Sequence, residues 1–253
     1  MITQKHKTTT SSNIKTSFSK YATKYEKHAH LQSEMGDHLA LLLPNEIPKR
    51  VLEIGCGTGI FTKHLLTHPL KRIIINDISV EMINFLKSKL ILPSCSKIIV
   101  GDAENIKFDC VDMITANAVF QWFRSPSKTL RKLRSYISSE GKLIFSTFGP
   151  QTLIELRQIS SIDSPALLTP FEQWETWLKT AEFTIDSSSK KIHKIYYSNT
   201  LELLKNLQQL GTSPITMTQS GSLRRIIKEY DKNYASSKGV YATWEVYYFS
   251  AIK

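Results

Sequence analysis

An α/β fold, with a mostly parallel sheet covered by helices on both faces, is predicted by three features of this sequence. Over the first 150 residues short apolar runs alternate with stretches of helical periodicity, the pattern of strands joined by crossover helices. The stretch Val51 to Ile60, VLEIGCGTGI, ends the first apolar run in glycines at alternate positions. Such a turn lets a ligand approach bare backbone at the start of a helix. Acidic residues then stand at the ends of three successive strands, Glu53, Asp77 and Asp102.

The first strand is RVLEIG (50–55), followed by a helix over 60–66. RIIINDI (72–78) is the second, and apolar residues at helical spacing predict a helix over 80–90. KIIVGD (97–102) and DMITANA (112–118) are the third and fourth strands. A helix over 126–137 repeats Leu130, Leu133 and Ile137 on one face, and GKLIFSTF (141–148) is the fifth strand. Beyond Gly149 the pattern turns helical, over 152–161, 170–180, 201–210 and 222–235. Two last strands, near 184–197 and 241–252, flank the final pair of these, a helical insert placed to roof a pocket.

With 41% hydrophobic and 22% charged residues the chain reads as soluble and globular. Cys56, Cys95 and Cys110 are odd in number and form no CxxC pair, which argues against a disulfide framework or a zinc knuckle and for a reducing compartment. No run approaches the ~20 apolar residues of a membrane span, so the expected location is the cytoplasm. The first 25 residues carry five lysines and no acid, loosely like a transit peptide, but they lack arginine and read as a frayed tail. The net charge of +11 suits an acidic partner, whether nucleic acid, an anionic surface or an acidic protein, and equally suits simple solubility.

The glycine spacing is G-x-G-x-G, at Gly55, Gly57 and Gly59, not the G-x-G-x-x-G that seats a dinucleotide pyrophosphate. Glu53 can orient the loop or accept from a ligand ammonium, as an amino-acid moiety requires. Asp77, 18 residues after Gly59, can take both hydroxyls of a ribose. Asp102, in GDAE, can accept from an adenine amine. Each alone fits a loop cap as well as a ligand contact; in order at three strand ends they point to a ligand. Cys56 supplies small size within the loop.

The series E-I-G-C-G-T-G, N-D-I, G-D-A-E and D-M-I-T-A-N-A resembles the motif series of class I S-adenosylmethionine-dependent methyltransferases. The resemblance implies a Rossmann-like sheet of seven strands ordered 3-2-1-4-5-7-6, with strand seven antiparallel. It implies one domain over 18–253, with N-terminal lid helices over about 18–43, a helical insert over about 200–236 and a flexible tail over 1–17. S-adenosylmethionine is the implied co-substrate and S-adenosylhomocysteine its product, with no metal. The implied cofactor contacts are Gln32, Glu53, Gly55, Cys56, Gly57, Gly59, Asp77, Ile78, Asp102, Ala103 and Asn117.

A closer likeness runs from Phe18 to the C-terminus. F-S-K-Y-A-T-K-Y-E-K-H-A-H-L-Q (18–32), N-A-V-F-Q-W (117–122), F-S-T-F-G-P-Q-T-L-I-E-L-R (145–157), L-L-K-N-L-Q-Q-L-G (203–211) and Y-A-T-W-E-V (241–246) resemble the malonyl-acyl-carrier-protein O-methyltransferases of biotin synthesis. That likeness implies methyl transfer to the free carboxylate of a malonyl thioester on an acidic acyl carrier protein. A carboxylate is ionised at neutral pH and needs no general base. Arg157 is the candidate for the carboxylate fork, or a surface arginine on its helix. Tyr25 is the candidate to close over the methyl, or packs the lid. Trp122 stands on the acceptor side or anchors the core, and Phe148 is a further candidate. His28 and His30 read as solvated helix residues. Lys128, Arg131, Lys132 and Arg134 on one helix, and Arg224, Arg225 and Lys228 on another, are candidate carrier-docking patches. Two departures stand out: a short segment between GDAE and DMITANA, and Glu26 as the acid after the N-terminal tyrosine. Other small-molecule methyltransferases share the domain, and an RNA substrate lacks its aromatic-basic signature here.

Overall fold

The structure is a computed structural model that describes residues 11–160, 164–212 and 220–253. In chain order its elements are α1 (Ser11–His28), α2 (His30–Ala40), β1 (Arg50–Ile54), α3 (Thr62–Leu65), β2 (Arg72–Asp77), α4 (Val80–Lys89), β3 (Ser96–Val100) and β4 (Val111–Ala116). A 3-10 turn (Phe120–Trp122) follows, then α5 (Pro126–Tyr136), β5 (Ile137–Phe148), α6 (Ile154–Ser160) and α7 (Phe171–Thr180). The chain closes with β6 (Thr184–Tyr197), α8 (Thr200–Gln209), α9 (Ser220–Tyr234), β7 (Ala235–Ser236) and β8 (Gly239–Ile252).

The sheet runs β3-β2-β1-β4-β5-β8-β6, with the two-residue β7 paired to β8. Counting β8 as strand seven gives the order 3-2-1-4-5-7-6. β1 lies parallel to β2, with Leu52 opposite Ile74, and parallel to β4, with Leu52 opposite Ile114. β8 runs antiparallel to both β5 and β6.

Helices cover both faces, so the central strands are buried on both sides and read as nearly continuous apolar runs. Successive side chains point to opposite faces. Val51 joins Leu31, Met35, Phe61, Leu86 and Leu203 in one core, and Leu52 joins Leu130, Leu133, Trp174 and Leu178 in the other. The strand ends carrying the site all lie at one edge, where parallel strands deliver their loops.

Two boundaries lie four residues or more from where the sequence places them. Helix α1 begins at Ser11, so the tail expected over 1–17 is helical from that residue onward. Ile14 (8% exposed), Phe18, Ala22 and Tyr25 recur at helical spacing, and the face they form is seated on the protein. Strand β5 starts at Ile137, four residues early. Glu140 takes φ +60° there, a local kink that a periodicity reading cannot see. Helices α8 and α9 lie between β6 and β8, over the stretch read as the insert.

Candidate active site

The loop after β1 is built from three glycines in left-handed backbone, Gly55 (φ +66°), Gly57 (φ +54°) and Gly59 (φ +95°), which disfavours any side chain. Their surroundings differ. A Cβ on Gly55 would stand 2.4 Å from Val119 Cγ2, and one on Gly59 2.8 Å from Leu90 Cδ1. A Cβ on Gly57 would meet nothing within 4 Å. Gly57 therefore borders open space, the kind of cradle a ligand fills.

That space is a cleft of about 750 Å³, part of it continuous with solvent, among Gly55, Gly57, Asp77, Ile78, Asp102, Ala103 and Asn117. Asp77, at the end of β2, is 7% exposed. Its Oδ2 accepts from Gly57 N–H at 2.8 Å and its Oδ1 from Ser79 N–H at 2.8 Å. Burial raises its pKa to about 6, against the lowering effect of those backbone donors. Asn76 staples β2 to β3 by donating to the carbonyls of Ile99 (2.9 Å) and Gly101 (3.0 Å). Asp102 Oδ1 accepts from Glu104 N–H (2.9 Å), while its Oδ2 accepts from Asn105 Nδ2 (3.0 Å) and Arg124 Nη2 (3.1 Å).

Asn117 closes the far side. Its Nδ2 donates to the Gln32 carbonyl of α2 at 2.9 Å and its Oδ1 accepts from Ser146 Oγ at 2.7 Å. Four expected contacts, Gly59, Glu53, Cys56 and Gln32, do not line this cleft, and Gly59 packs against Leu86 and Leu90 instead. Glu53 is 1% exposed, does not line the cleft and accepts from Thr62 Oγ1 at 2.7 Å, holding the start of α3. Burial drives its pKa up to about 8, with the Thr62 hydrogen bond opposing and Asp77 adding to the rise. Cys56 is buried with its N–H on the Asn76 carbonyl at 3.0 Å, and burial pushes its thiol pKa up. Gln32 lines not this cleft but the second cavity described next.

That second cavity, of about 490 Å³ with part of it continuous with solvent, adjoins the first and shares Phe18, Tyr25, Ala118 and Trp122 with it. The Phe18 ring meets Trp122 edge-on at 5.5 Å and Tyr25 at 6.2 Å, an aromatic collar between the two spaces. Burial, then the charge of Asp77, raises the Tyr25 pKa, so its hydroxyl remains a donor. Trp122 is half-buried, whereas Phe120 in the same turn is fully buried; the core anchor is Phe120. Phe148 and Trp244, 5.5 Å apart, and Gln32 and Thr152 wall the second cavity.

Behind Thr152 and Trp244 of its wall, the start of α6 is tied to β8. Thr152 and Glu245 exchange bonds of 3.1 Å, Glu245 Oε2 accepts from Gln151 N–H at 2.8 Å, and Glu155 Oε2 accepts from Thr243 N–H at 3.0 Å. Arg157 is placed outside both cavities: it donates to the carbonyls of Pro150 and Thr152, tying down the turn before α6. The basic patches also thin out. Lys132 donates to the Glu104 carbonyl at 2.9 Å and Arg134 pairs with Glu182 at 3.1 Å, while Lys128, Arg131, Arg224, Arg225 and Lys228 are exposed.

Phe18, Asn76 and Trp244 line these spaces although their positions in the sequence do not single them out. Phe18 had a signal: it precedes Tyr25 by seven residues, two helical turns, on the same face. No group of acids, histidines and cysteines among the described residues is arranged to hold a metal ion.

A strand–glycine-turn–helix unit, an acid at the end of β2 and a seven-strand order with one reversed strand together define a class I methyltransferase. Residues 27–208 match the family model described as a methyltransferase domain, and the chain belongs to that family. Within it, the chain is 31% identical to the malonyl-[acyl-carrier protein] O-methyltransferase of Brevibacillus brevis over 94% of its own length and 95% of the relative's. It is 31% identical to the protein of the same name from Halalkalibacterium halodurans over 91% and 94%. The chain is a member of the malonyl-[acyl-carrier protein] O-methyltransferase family. The YcgJ protein of Bacillus subtilis shares the fold, with a TM-score of 0.67 at 15% identity over 87% of this chain and 98% of that one.

Proposed function

We infer that this protein transfers a methyl group from S-adenosylmethionine to the free carboxylate of a malonyl thioester on an acidic acyl carrier protein. The product is the malonyl methyl ester that starts pimeloyl and biotin synthesis. The observation that carries this reading is the pair of cavities joined at the collar of Phe18, Tyr25 and Trp122. One side has the glycine cradle and Asp77 for the donor, and the other, walled by Gln32, Phe148, Thr152 and Trp244, receives the acyl group.

The donor, when bound, supplies an activated methyl on a sulfonium. Asp77 accepts from the ribose hydroxyls, Asp102 from the adenine amine, and the bare edge of Gly57 faces the methionine part. A malonyl carboxylate is ionised at neutral pH and needs no base, so the residues have only to align it and exclude water. Tyr25, held protonated, donates to that carboxylate, and Phe18 and Trp122 keep water from the reacting line. Arg157 acts as a positioning residue, through the turn that carries Thr152. S-adenosylhomocysteine leaves as coproduct, and with donor and nucleophile both already activated no metal takes part.

Lys128, Arg131 and the α9 cations steer an acidic carrier to the site. Among the described residues no helix is long and apolar enough to cross a membrane, and with Cys56, Cys95 and Cys110 all free the chemistry belongs in the cytoplasm. Methyl-labelled S-adenosylmethionine should be incubated with malonyl-carrier, succinyl-carrier, malonyl-coenzyme A and total RNA in turn. The expected result is label on malonyl-carrier that mild base releases. Label on RNA alone overturns the reading.

A further inference from the structure

Gln32 and Trp244 line the acceptor cavity and also an outer one of about 750 Å³, open to solvent, where α1 meets α2 and the end of β6 approaches α8. The rim of this outer cavity carries Lys27, His28 and His30. Lys27 and His30 are exposed, and Lys27 draws no acid among the described residues. His28 Nδ1 faces Asn206 Nδ2 at 3.1 Å. With Nδ1 taken up by Asn206, Nε2 is the ring nitrogen left for a ligand.

The one acid in this wall, Glu202, already accepts from Ser198 N–H at 2.8 Å and from Ser198 Oγ. An anion therefore belongs at the α1–α2 end. Deeper in, Gln32 is 5% exposed and its Oε1 has no partner among the described residues. A buried acceptor without a donor is unfavourable, and a ligand N–H at that point satisfies it.

Resting on the function proposed above, we propose that the outer cavity binds the phosphate-bearing pantetheine arm on which a carrier presents its thioester. Lys27, His28 and His30 meet the phosphodiester. Gln32 Oε1 accepts from an amide N–H of the arm where it passes Trp244 into the acceptor cavity. Coenzyme A carries the same phosphopantetheine chemistry, so both sources are compared in the test.

Initial rates are measured for the wild type and the double variant Lys27→Glu, His30→Glu with malonyl-carrier, malonyl-coenzyme A, malonyl-pantetheine and S-malonyl-N-acetylcysteamine. The KM of the two phosphate-bearing substrates should rise roughly fivefold or more, with kcat kept and the KM of the two phosphate-free ones unchanged. A rise confined to malonyl-carrier, an equal change across all four, or no change overturns the proposal. Calorimetry with free 4′-phosphopantetheine against pantetheine provides the second readout, repeated with Lys27→Ala, His30→Ala in case the reversed charges disturb folding. Should the wild type methylate none of the four, the function reading fails and calorimetry alone decides the site. Binding that needs the phosphate and is lost in the variant supports it, and its absence overturns it.

Discussion

Replacing Gly57 and Gly55 by alanine, one at a time, separates ligand space from packing space in the same loop. Both positions hold positive φ, +54° and +66°, and left-handed backbone costs an L-residue about 1–2 kcal/mol. Part of that is offset, by about 0.4–1 kcal/mol, because alanine has less freedom to lose on folding. Gly57→Ala adds no overlap, since nothing lies within 4 Å of the new Cβ. Its net cost is about 1 kcal/mol, a fall of roughly 2–4 °C in Tm. Gly55→Ala brings its Cβ to 2.4 Å from Val119 Cγ2 and 3.0 Å from Cγ1, adding about 1–3 kcal/mol of overpacking. Donor affinity should rank the other way per unit of stability lost. The Gly57 methyl projects into the cleft and should weaken S-adenosylhomocysteine binding roughly tenfold to a hundredfold. Gly55→Ala combined with Val119→Ala should regain most of the lost Tm. Thermal unfolding and calorimetric titration on the same samples read both quantities. If Gly57→Ala binds S-adenosylhomocysteine as the wild type does while melting a few degrees lower, the cradle does not face the donor.

The buried acids give a pH signature. Burial pushes the Glu53 carboxyl from its ordinary 4.5 up to about 8, and that of Asp77 from 3.8 up to about 6. A raised carboxyl pKa means the folded protein holds the proton longer. Its stabilising effect is full below the unfolded value and is lost as pH rises through the folded one. The free protein should therefore lose stability in urea between about pH 4 and 8, and Glu53→Gln should flatten the upper part of that slope; a slope unchanged in the variant contradicts the burial argument. On the function proposed above, donor affinity should move oppositely at the acid end, because only an ionised Asp77 can accept from both ribose hydroxyls. Titrations should show affinity falling as pH drops through about 6, and Asp77→Asn should remove that dependence. Arg157→Gln should raise KM for malonyl-carrier severalfold through the turn at Thr152 while leaving S-adenosylhomocysteine affinity intact; a loss of donor binding would place Arg157 in a different role.

The sheet was legible because its strands are apolar runs that end in Gly, Asp or Asn, as in RIIIND and VLEIG. Their spatial order was not in those runs. It came with the resemblance, since periodicity says nothing of which strand neighbours which. The start of α1 was hidden for a physical reason: SSNIKTSF offers only Ile14 and Phe18 as apolar residues, too few to stand out from a polar tail. Asp77 and Gly57 could be named from position because a strand end and a tight turn fix where they point. Gln32, Phe148 and Trp244 meet only through packing of α2, β5 and β8, and Arg157 could not be assigned a direction from its helix alone. Charge counting likewise overstated α5, where Lys132 and Arg134 serve local carbonyl and carboxylate groups.

A crystal structure of the complex with S-adenosylhomocysteine tests the two-cavity arrangement most directly. Adenine should lie beside Asp102 and Ala103, ribose on Asp77, and the sulfur at the collar of Phe18, Tyr25 and Trp122, facing the cavity of Gln32 and Phe148. A sulfur turned away from that collar, or adenine in the second cavity, would contradict it.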